Sequence, residues 1–171
     1  MDRVLCAGDM VSQYRFSNQV FDIVREWPIL AIRGNHEDAI LSSAGEPLRS
    51  SGTISLENLR MLESLPSMLE MEIDGKRLVM VHSSPLDPRA NKFIPRSHST
   101  DSLPESKADV LVVGNTHWPV ITNVGQTLLI NPGSLGEPRD PDHPYRRTYA
   151  VLDTTTWKSS IGFFEQPFQS P

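Results

Sequence analysis

Short apolar runs alternate with polar, glycine-containing segments along this chain, and most of the runs lack the every-second-residue polarity of a half-exposed strand. Continuous apolar runs of this kind predict strands that are buried on both faces, as in layered α/β proteins. The predicted strands cover residues 3–7, 29–32, 77–81, 110–113, 127–130 and 148–152.

Two segments have the helical period instead. The first is predicted to begin at Ser12, a candidate N-cap, and to end before Pro28. Its buried face is predicted to carry the apolar residues spaced three or four apart, Phe16, Val20, Ile23, Val24 and Trp27. The second is predicted to follow Ser55 and to end at Pro66, with Leu59, Leu62 and Leu65 on one stripe.

The later segments have the turn signals of hairpins. Asp74-Gly75 is a strong two-residue turn, and Gly125 and residues 154–156 mark two further reversals. A βαβ start followed by hairpins predicts a mixed α/β layered domain over residues 1–171. Residues 83–107 are polar and proline-rich, and we expect a long, lid-like loop there.

Composition and charge narrow the classes of function. The 171 residues suit one domain, and the net charge of −5 without a basic block argues against a dedicated nucleic-acid or membrane-surface binder. The single cysteine, Cys6, cannot form an internal disulfide and is expected to be a reduced, buried thiol. Without a spanning run or a signal-peptide pattern, we expect a cytoplasmic protein.

Potential metal ligands follow four of the apolar runs directly. Asp9 follows the first run, Asn35 and His36 the second, His82 the third, and Asn115 and His117 the fourth. Because ligand sites in layered α/β folds form beyond the carboxyl ends of the strands, we expect these side chains at one edge of the fold. Oxygen donors mixed with imidazoles suit Mn, Fe, Zn or Mg.

Four motifs occur in the order and spacing found in calcineurin-like metallophosphoesterases, which this sequence therefore resembles. They are Gly8-Asp9, Gly34-Asn35-His36-Glu37, Val81-His82-Ser83-Ser84-Pro85 and Gly114-Asn115-Thr116-His117. Residues 131–139, which read NPGSLGEPR, resemble a stretch typical of the small bacterial and archaeal phosphodiesterase branch. The resemblance covers nearly the whole chain and implies a four-layer αββα sandwich of two mixed sheets.

The resemblance also implies roles for the residues. Two divalent cations, with Mn²⁺ expected, would share Asp9; Asn35 and His82 would bind the second ion and His117 the first. His36 would donate to the phosphoryl oxygens or to the leaving group, and Arg139 is a candidate for binding the substrate phosphate. For Glu37 two interpretations stand: it orients His36, or it is a solvated acid opening the next helix.

Two departures from the family pattern weaken the first metal site. The Asp-x-His motif, its strand and the following helix do not precede the run at 3–7, and the expected histidine at position 115 is an asparagine. Asn115 as a weak ligand and Asn115 as a non-ligand both remain open. We expect the missing motif to be encoded upstream of Met1; the alternative is a shortened homologue that has lost catalysis.

The sequence therefore predicts a phosphoesterase that hydrolyses phosphomonoesters or phosphodiesters with a metal-activated water. The rival prediction is a catalytically degraded relative that serves as a protein-interaction scaffold, as a retromer subunit with this fold does. We expect a small phosphoester as partner and neither a membrane nor a specific nucleic acid. A sheet edge left uncovered can also pair two copies of the chain into a homo-oligomer.

Overall fold

The computed structural model describes residues 3–11, 16–83 and 107–165, and the account that follows concerns these residues. Nine strands and four α-helices follow one another along these segments, with a 3-10 turn at Ser43–Gly45. The strands are β1 (Val4–Cys6), β2 (Ile29–Ala31), β3 (Met68–Ile73), β4 (Lys76–Val81), β5 (Val110–Val112), β6 (Pro119–Val124), β7 (Thr127–Pro132), β8 (Arg146–Asp153) and β9 (Lys158–Glu165). The helices are α1 (Ser17–Glu26), α2 (Asn35–Leu41), α3 (Glu46–Ser50) and α4 (Leu56–Ser64).

The strands form one large mixed sheet and two small ones. The large sheet has the order β3-β4-β5-β7-β6, in which β4, β5 and β7 are parallel and the outer strands antiparallel. In the small sheets β1 pairs with β2 in parallel, and β8 pairs with β9 in antiparallel register. The predicted α/β class with mixed sheets is confirmed.

Three apolar clusters separate the layers. One lies between the helices and the β1–β2 sheet and includes Phe21, Ile40 and Leu62. A second lies between the small sheets and the large one, where Leu5 of β1 and Leu152 of β8 pack on the same core as Met80. The third lies on the opposite face of the large sheet. The described residues thus supply one helical layer and two sheet layers of the expected αββα sandwich.

Burial of the strands follows the prediction only in the large sheet. Residues 78–81 of β4 and all of β5 are buried, because layers cover both faces of these strands. In β2, by contrast, Leu30 is 38% exposed, so burial on both faces is wrong for this strand. Within the described residues β1 and β2 form a two-stranded sheet of their own, and neighbouring elements cover them less completely.

Helix α1 ends as predicted but buries a different face. Trp27 has the extended backbone that a residue before proline adopts, and the helix ends at Glu26. The buried positions are Ser17, Phe21 and Val24, whereas Trp27 is 65% exposed. Phe16 and Ile23 are exposed as well, so of the predicted apolar stripe only Val24 is buried, with Val20 partly buried against the same core. Ser12, the predicted N-cap, lies outside the described residues.

Local chemistry explains the remaining elements. The Ser55 hydroxyl caps α4 by accepting a hydrogen bond from the backbone N–H of Asn58. Asp74 and Gly75 both have positive φ, as a two-residue turn between β3 and β4 requires. Residues 84–106, which hold nearly all of the predicted lid-like loop, are outside the described part of the chain. No helix among the described residues is long and apolar enough to cross a membrane.

Candidate metal site

The loops that leave β1, β2 and β4 bring four of the predicted site residues together. Asp9 follows β1, Asn35 and His36 open α2 after β2, and His82 follows β4 directly. The parallel pairing of β1 with β2 makes the first two loops emerge on the same side. The four side chains therefore meet at the carboxyl ends of strands, as the sequence predicted.

Three potential ligand atoms converge closely at this point. The His82 Nε2 atom lies 3.1 Å from Asp9 Oδ2 and 3.0 Å from Asn35 Oδ1. Donors that share one ion at about 2.1 Å, roughly at right angles, are separated by about 3 Å, so both of these distances fit a shared divalent cation. His, Cys, Asp and Glu alone form no cluster of three within the described residues, so the Asn35 oxygen completes the set.

The other nitrogen of His82 determines which atom is free to bind a metal. Its Nδ1 donates to the carbonyl of Ala7 at 2.6 Å, since a carbonyl can only accept. His82 is buried, with 3% of its surface exposed. Its Nε2 atom therefore faces the two acceptor oxygens of Asp9 and Asn35 away from bulk water. Either a second proton or a cation must lie between Nε2 and these oxygens. A histidine that donates from one nitrogen to a backbone carbonyl and binds with the other is the common arrangement at metal sites.

Asp9 and His82 shift each other's titration. Burial would raise the pKa of Asp9, but the hydrogen bond and charge of His82, together with those of His36, lower that pKa below its usual value. Burial would likewise lower the pKa of His82, yet the hydrogen bond and charge of Asp9, with the Ala7 carbonyl and the charge of Glu37, raise it. In the metal-free protein the pair thus favours its ionic form.

His36 lies beside Asp9 and is more exposed to solvent than His82. Its Nε2 is 4.0 Å from Asp9 Oδ2, and its side chain is 36% exposed. The Nδ1 atom donates to the carbonyl of Val11 at 2.8 Å, and the backbone N–H of His36 donates to Asp9 Oδ1 at 3.1 Å. The ring is thus held with Nε2 available to a bound molecule.

Glu37 follows neither of the two interpretations that the sequence allowed. It is 0% exposed, so the solvated alternative is wrong, and the carbonyl of Val11 rather than this carboxylate receives the His36 ring proton. Its carboxylate accepts hydrogen bonds from the backbone N–H groups of Asp9, Val11 and Gly34. A signal was present in the sequence, because a glutamate three residues after a helix N-cap commonly reaches back to the N-cap N–H.

His117 lies in a separate loop between β5 and β6. Its Nδ1 donates to the backbone carbonyl of Glu137 at 2.8 Å, and the Glu137 carboxylate lies 3.6 Å from the same nitrogen. Burial, followed by the charge of Arg139, lowers the pKa of His117 and favours the neutral ring that a metal ligand requires. No sequence signal pointed to Glu137, because its main contact is made by the backbone.

Asn115 and Arg139 flank this loop. The side-chain nitrogen of Asn115 donates to the Ser83 hydroxyl at 3.2 Å. Arg139 pairs with Glu137 at 3.1 Å, and its side chain is 44% exposed. Buried Asn131 holds the loop in place by donating to the carbonyl of Gly114 and to Thr116 Oγ1. Asn115 therefore lies in the same loop as His117, and Arg139 is connected to His117 through Glu137.

Two kinds of backbone constraint shape the site. Asp9, Asn115 and His117 all have φ near +60°, a conformation that is costly for residues with a side chain and recurs at functional sites. At Gly34 an added Cβ would overlap Asp9 Oδ1 and approach Asp9 N to 2.6 Å. The two ligand loops can therefore pack closely only because this position has no side chain.

Comparisons with known proteins identify the family of the chain. The chain matches the family model of the calcineurin-like phosphoesterase superfamily domain over residues 1–157. It is 26% identical over 184 aligned residues to an uncharacterized protein of Methanocaldococcus jannaschii, covering 93% of this chain and 74% of that one. It is also 33% identical over 78 residues to a probable metallophosphoesterase of the same organism, covering 46% of this chain and 38% of that one.

A solved structure shows the same fold. The crystal structure of a metallophosphoesterase from Sphaerobacter thermophilus superposes with a TM-score of 0.76 at 24% identity, covering 98% of this chain and 79% of that one. The motifs, the α/β layers and the match over residues 1–157 agree: the chain belongs to the calcineurin-like phosphoesterase superfamily.

Proposed function

We propose that this chain hydrolyses phosphoesters, monoesters or diesters, in a reaction that depends on divalent cations, with Mn²⁺ as the working ion. One observation carries the proposal: the buried Nε2 of His82 faces the oxygens of both Asp9 and Asn35 at about 3 Å, as atoms that share a cation do. Membership of the superfamily supports hydrolysis in general.

The proposed metal ligands form two groups, and His36 has a separate role. Asp9, Asn35 and His82 would hold one ion, while His117, kept neutral by burial, and Asp9 would hold a second. When bound, the ions would supply Lewis acidity that activates water and neutralises phosphoryl oxygens. His36, fixed through Nδ1, presents Nε2 to the substrate and, when protonated, donates to a phosphoryl oxygen or to the leaving group.

Arg139 is proposed to bind the substrate phosphate. Its guanidinium lies on the His117 side of the site and is partly exposed. A guanidinium can form two parallel hydrogen bonds to a phosphate. Binding would exchange the ion pair with Glu137 for a pair with the substrate. We expect Arg139→Ala to raise KM more than it lowers kcat.

Hydrolysis of bis(p-nitrophenyl) phosphate and of p-nitrophenyl phosphate, with and without Mn²⁺, tests the proposal. We expect Mn²⁺-dependent turnover that Asp9→Ala abolishes. The matched control is Asp38→Ala, which removes a carboxylate that is 49% exposed on the same helix as Asn35. A folded wild-type chain without turnover on either ester would refute the proposal.

His36→Gln separates an enzyme from a scaffold that retains the metal site. In an enzyme this variant loses turnover but keeps its fold and its Mn²⁺ affinity, because His36 touches the substrate rather than the ion. Equal turnover in His36→Gln and wild type would remove His36 from the catalytic role.

A further inference from the structure

A buried carboxylate connects the loops that carry Asp9 and Asn35. Glu37 is 0% exposed, and its Oε2 accepts hydrogen bonds from the N–H of Asp9 at 2.8 Å and the N–H of Gly34 at 2.7 Å. Its Oε1 accepts from the N–H of Val11 at 3.1 Å. Burying a carboxylate is unfavourable unless hydrogen bonds compensate for the lost water, and here three backbone donors offset part of that cost.

These donors come from different segments of the chain. Asp9 and Val11 belong to the loop after β1, whereas Gly34 immediately precedes α2, where Asn35 lies. One side chain therefore determines the spacing between two loops that are about 25 residues apart in sequence. The link is direct, because the Asp9 N–H that Glu37 binds belongs to a proposed ligand.

The backbone of Asp9 explains why such a link is needed. Asp9 has φ of 57°, a left-handed conformation that is uncommon for residues with a side chain and that contacts with its surroundings help to hold. Its N–H is held by Glu37, and its side-chain Oδ1 accepts the N–H of His36. Together these contacts direct the remaining oxygen, Oδ2, toward His82.

We propose that Glu37 is a positioning residue: by joining the Asp9 and Gly34 loops it sets the distance between the Asp9 and Asn35 oxygens, and thereby the affinity of the site for divalent cations. The proposal rests on the proposed function, because it assumes that these oxygens bind the cation. It goes beyond it by assigning cation affinity to a side chain that does not touch the ion.

Glu37→Gln is the most informative variant. An amide has a single acceptor oxygen, so its NH₂ group must face at least one backbone N–H. The favoured orientation keeps the oxygen at the Oε2 position and places the NH₂ against Val11, which loosens the β1 loop. Glu37→Asp is the second variant: it keeps the charge but is one methylene too short to reach both loops.

The matched control is Leu62→Ala, which leaves a cavity in α4, an element without ligands, within the core that also contains Val11. We expect this variant to lose at least as much thermal stability as Glu37→Gln. It leaves the Glu37 hydrogen bonds intact, so cation affinity should stay within about threefold of wild type.

Two measurements test whether Glu37 sets the affinity of the site for divalent cations. Titration with Mn²⁺, followed by the EPR signal of the free ion, should give a Kd about 10- to 100-fold weaker for Glu37→Gln and Glu37→Asp than for wild type, as is typical for residues that orient ligands. An unchanged Kd in both variants would overturn the proposal. So would an equal loss of affinity in Leu62→Ala, because affinity would then simply follow stability.

Amide hydrogen exchange of the metal-free protein, measured by NMR, separates this inference from the proposed function. In Glu37→Gln the amide of Val11 should exchange faster than in wild type, and in Glu37→Asp the amides of Asp9 or Gly34 should do so as well, while amides in β4 and β5 keep their protection. If the wild-type chain takes up no Mn²⁺, the proposed function fails on its own. The exchange data then decide the positioning role, and unchanged protection at the three amides would refute it.

Discussion

The close approach of the Asp9 loop to Gly34 makes Gly34→Ala a stringent test of the site. Gly34 has φ of −101°, which alanine adopts freely, so the substitution changes space and not backbone strain. The added Cβ would overlap Asp9 Oδ1 and lie 2.6 Å from Asp9 N and 2.8 Å from His82 Cε1. Ordinary contacts are about 3.5 Å, so Asp9 and His82 must both move away from the new Cβ, by roughly 1 Å.

The magnitude follows from this displacement. Overpacking of this kind costs about 1–3 kcal/mol of unfolding free energy. A misplacement of about 1 Å at a catalytic site lowers the rate on the order of 100-fold. We therefore expect Gly34→Ala to lower kcat/KM for bis(p-nitrophenyl) phosphate about 100-fold in saturating Mn²⁺, with only a moderate loss of thermal stability.

Gly75→Ala is the matched control. Gly75 has φ of 76° with nothing within 4 Å of an added Cβ, so alanine there is strained but meets no neighbour. The strain costs about 1–2 kcal/mol. The turn lies at the far end of β4 from His82, roughly 20 Å away by strand rise, so kcat/KM should not change. Activity of Gly34→Ala within about threefold of wild type, or an equal loss in Gly75→Ala, would refute the reasoning.

Three further predictions concern stability and association. The pKa of Asp9 is lowered and that of His82 is raised, so the ionic pair stabilises the metal-free fold between about pH 4 and about pH 6.5. This stabilisation is lost as pH falls through the Asp9 pKa or rises through the His82 pKa. Thermal unfolding of wild type and Asp9→Asn across pH should therefore differ most inside this window, and a constant difference contradicts the coupling. Ser55→Ala removes the hydrogen bond that caps α4 and should cost about 1 kcal/mol in chemical denaturation, with kcat unchanged. We expect copies of the chain to associate through the exposed face of α1 beside the β1–β2 sheet, next to Trp27, which is 65% exposed. Sedimentation velocity over a concentration series should show an oligomer that Trp27→Glu dissociates. A wild-type chain that is monomeric at every concentration would exclude this association.

The local part of this protein could be predicted from its sequence because the responsible interactions are short-range. Pro28 ends α1 by restricting the residue before it, Ser55 caps α4 from within one turn, and Asp74-Gly75 supplies the positive φ values of its turn. The gathering of Asp9, Asn35 and His82 was predictable as well, because each follows a strand and parallel strands end at the same edge.

Long-range packing decided the rest. The period of α1 marks an apolar stripe, but only the arrangement of neighbouring elements selects Phe21 and Val24 for burial and leaves Trp27 exposed. The role of Glu37 required the β1 loop to be folded against α2, since two of its donors, the N–H groups of Asp9 and Val11, lie more than twenty residues away. A backbone N–H has no signature in a sequence. The sequence therefore determined which side chains of metal-ligand type come together, while the tertiary structure decided which backbone groups fix them in place, because those contacts exist only once distant loops meet.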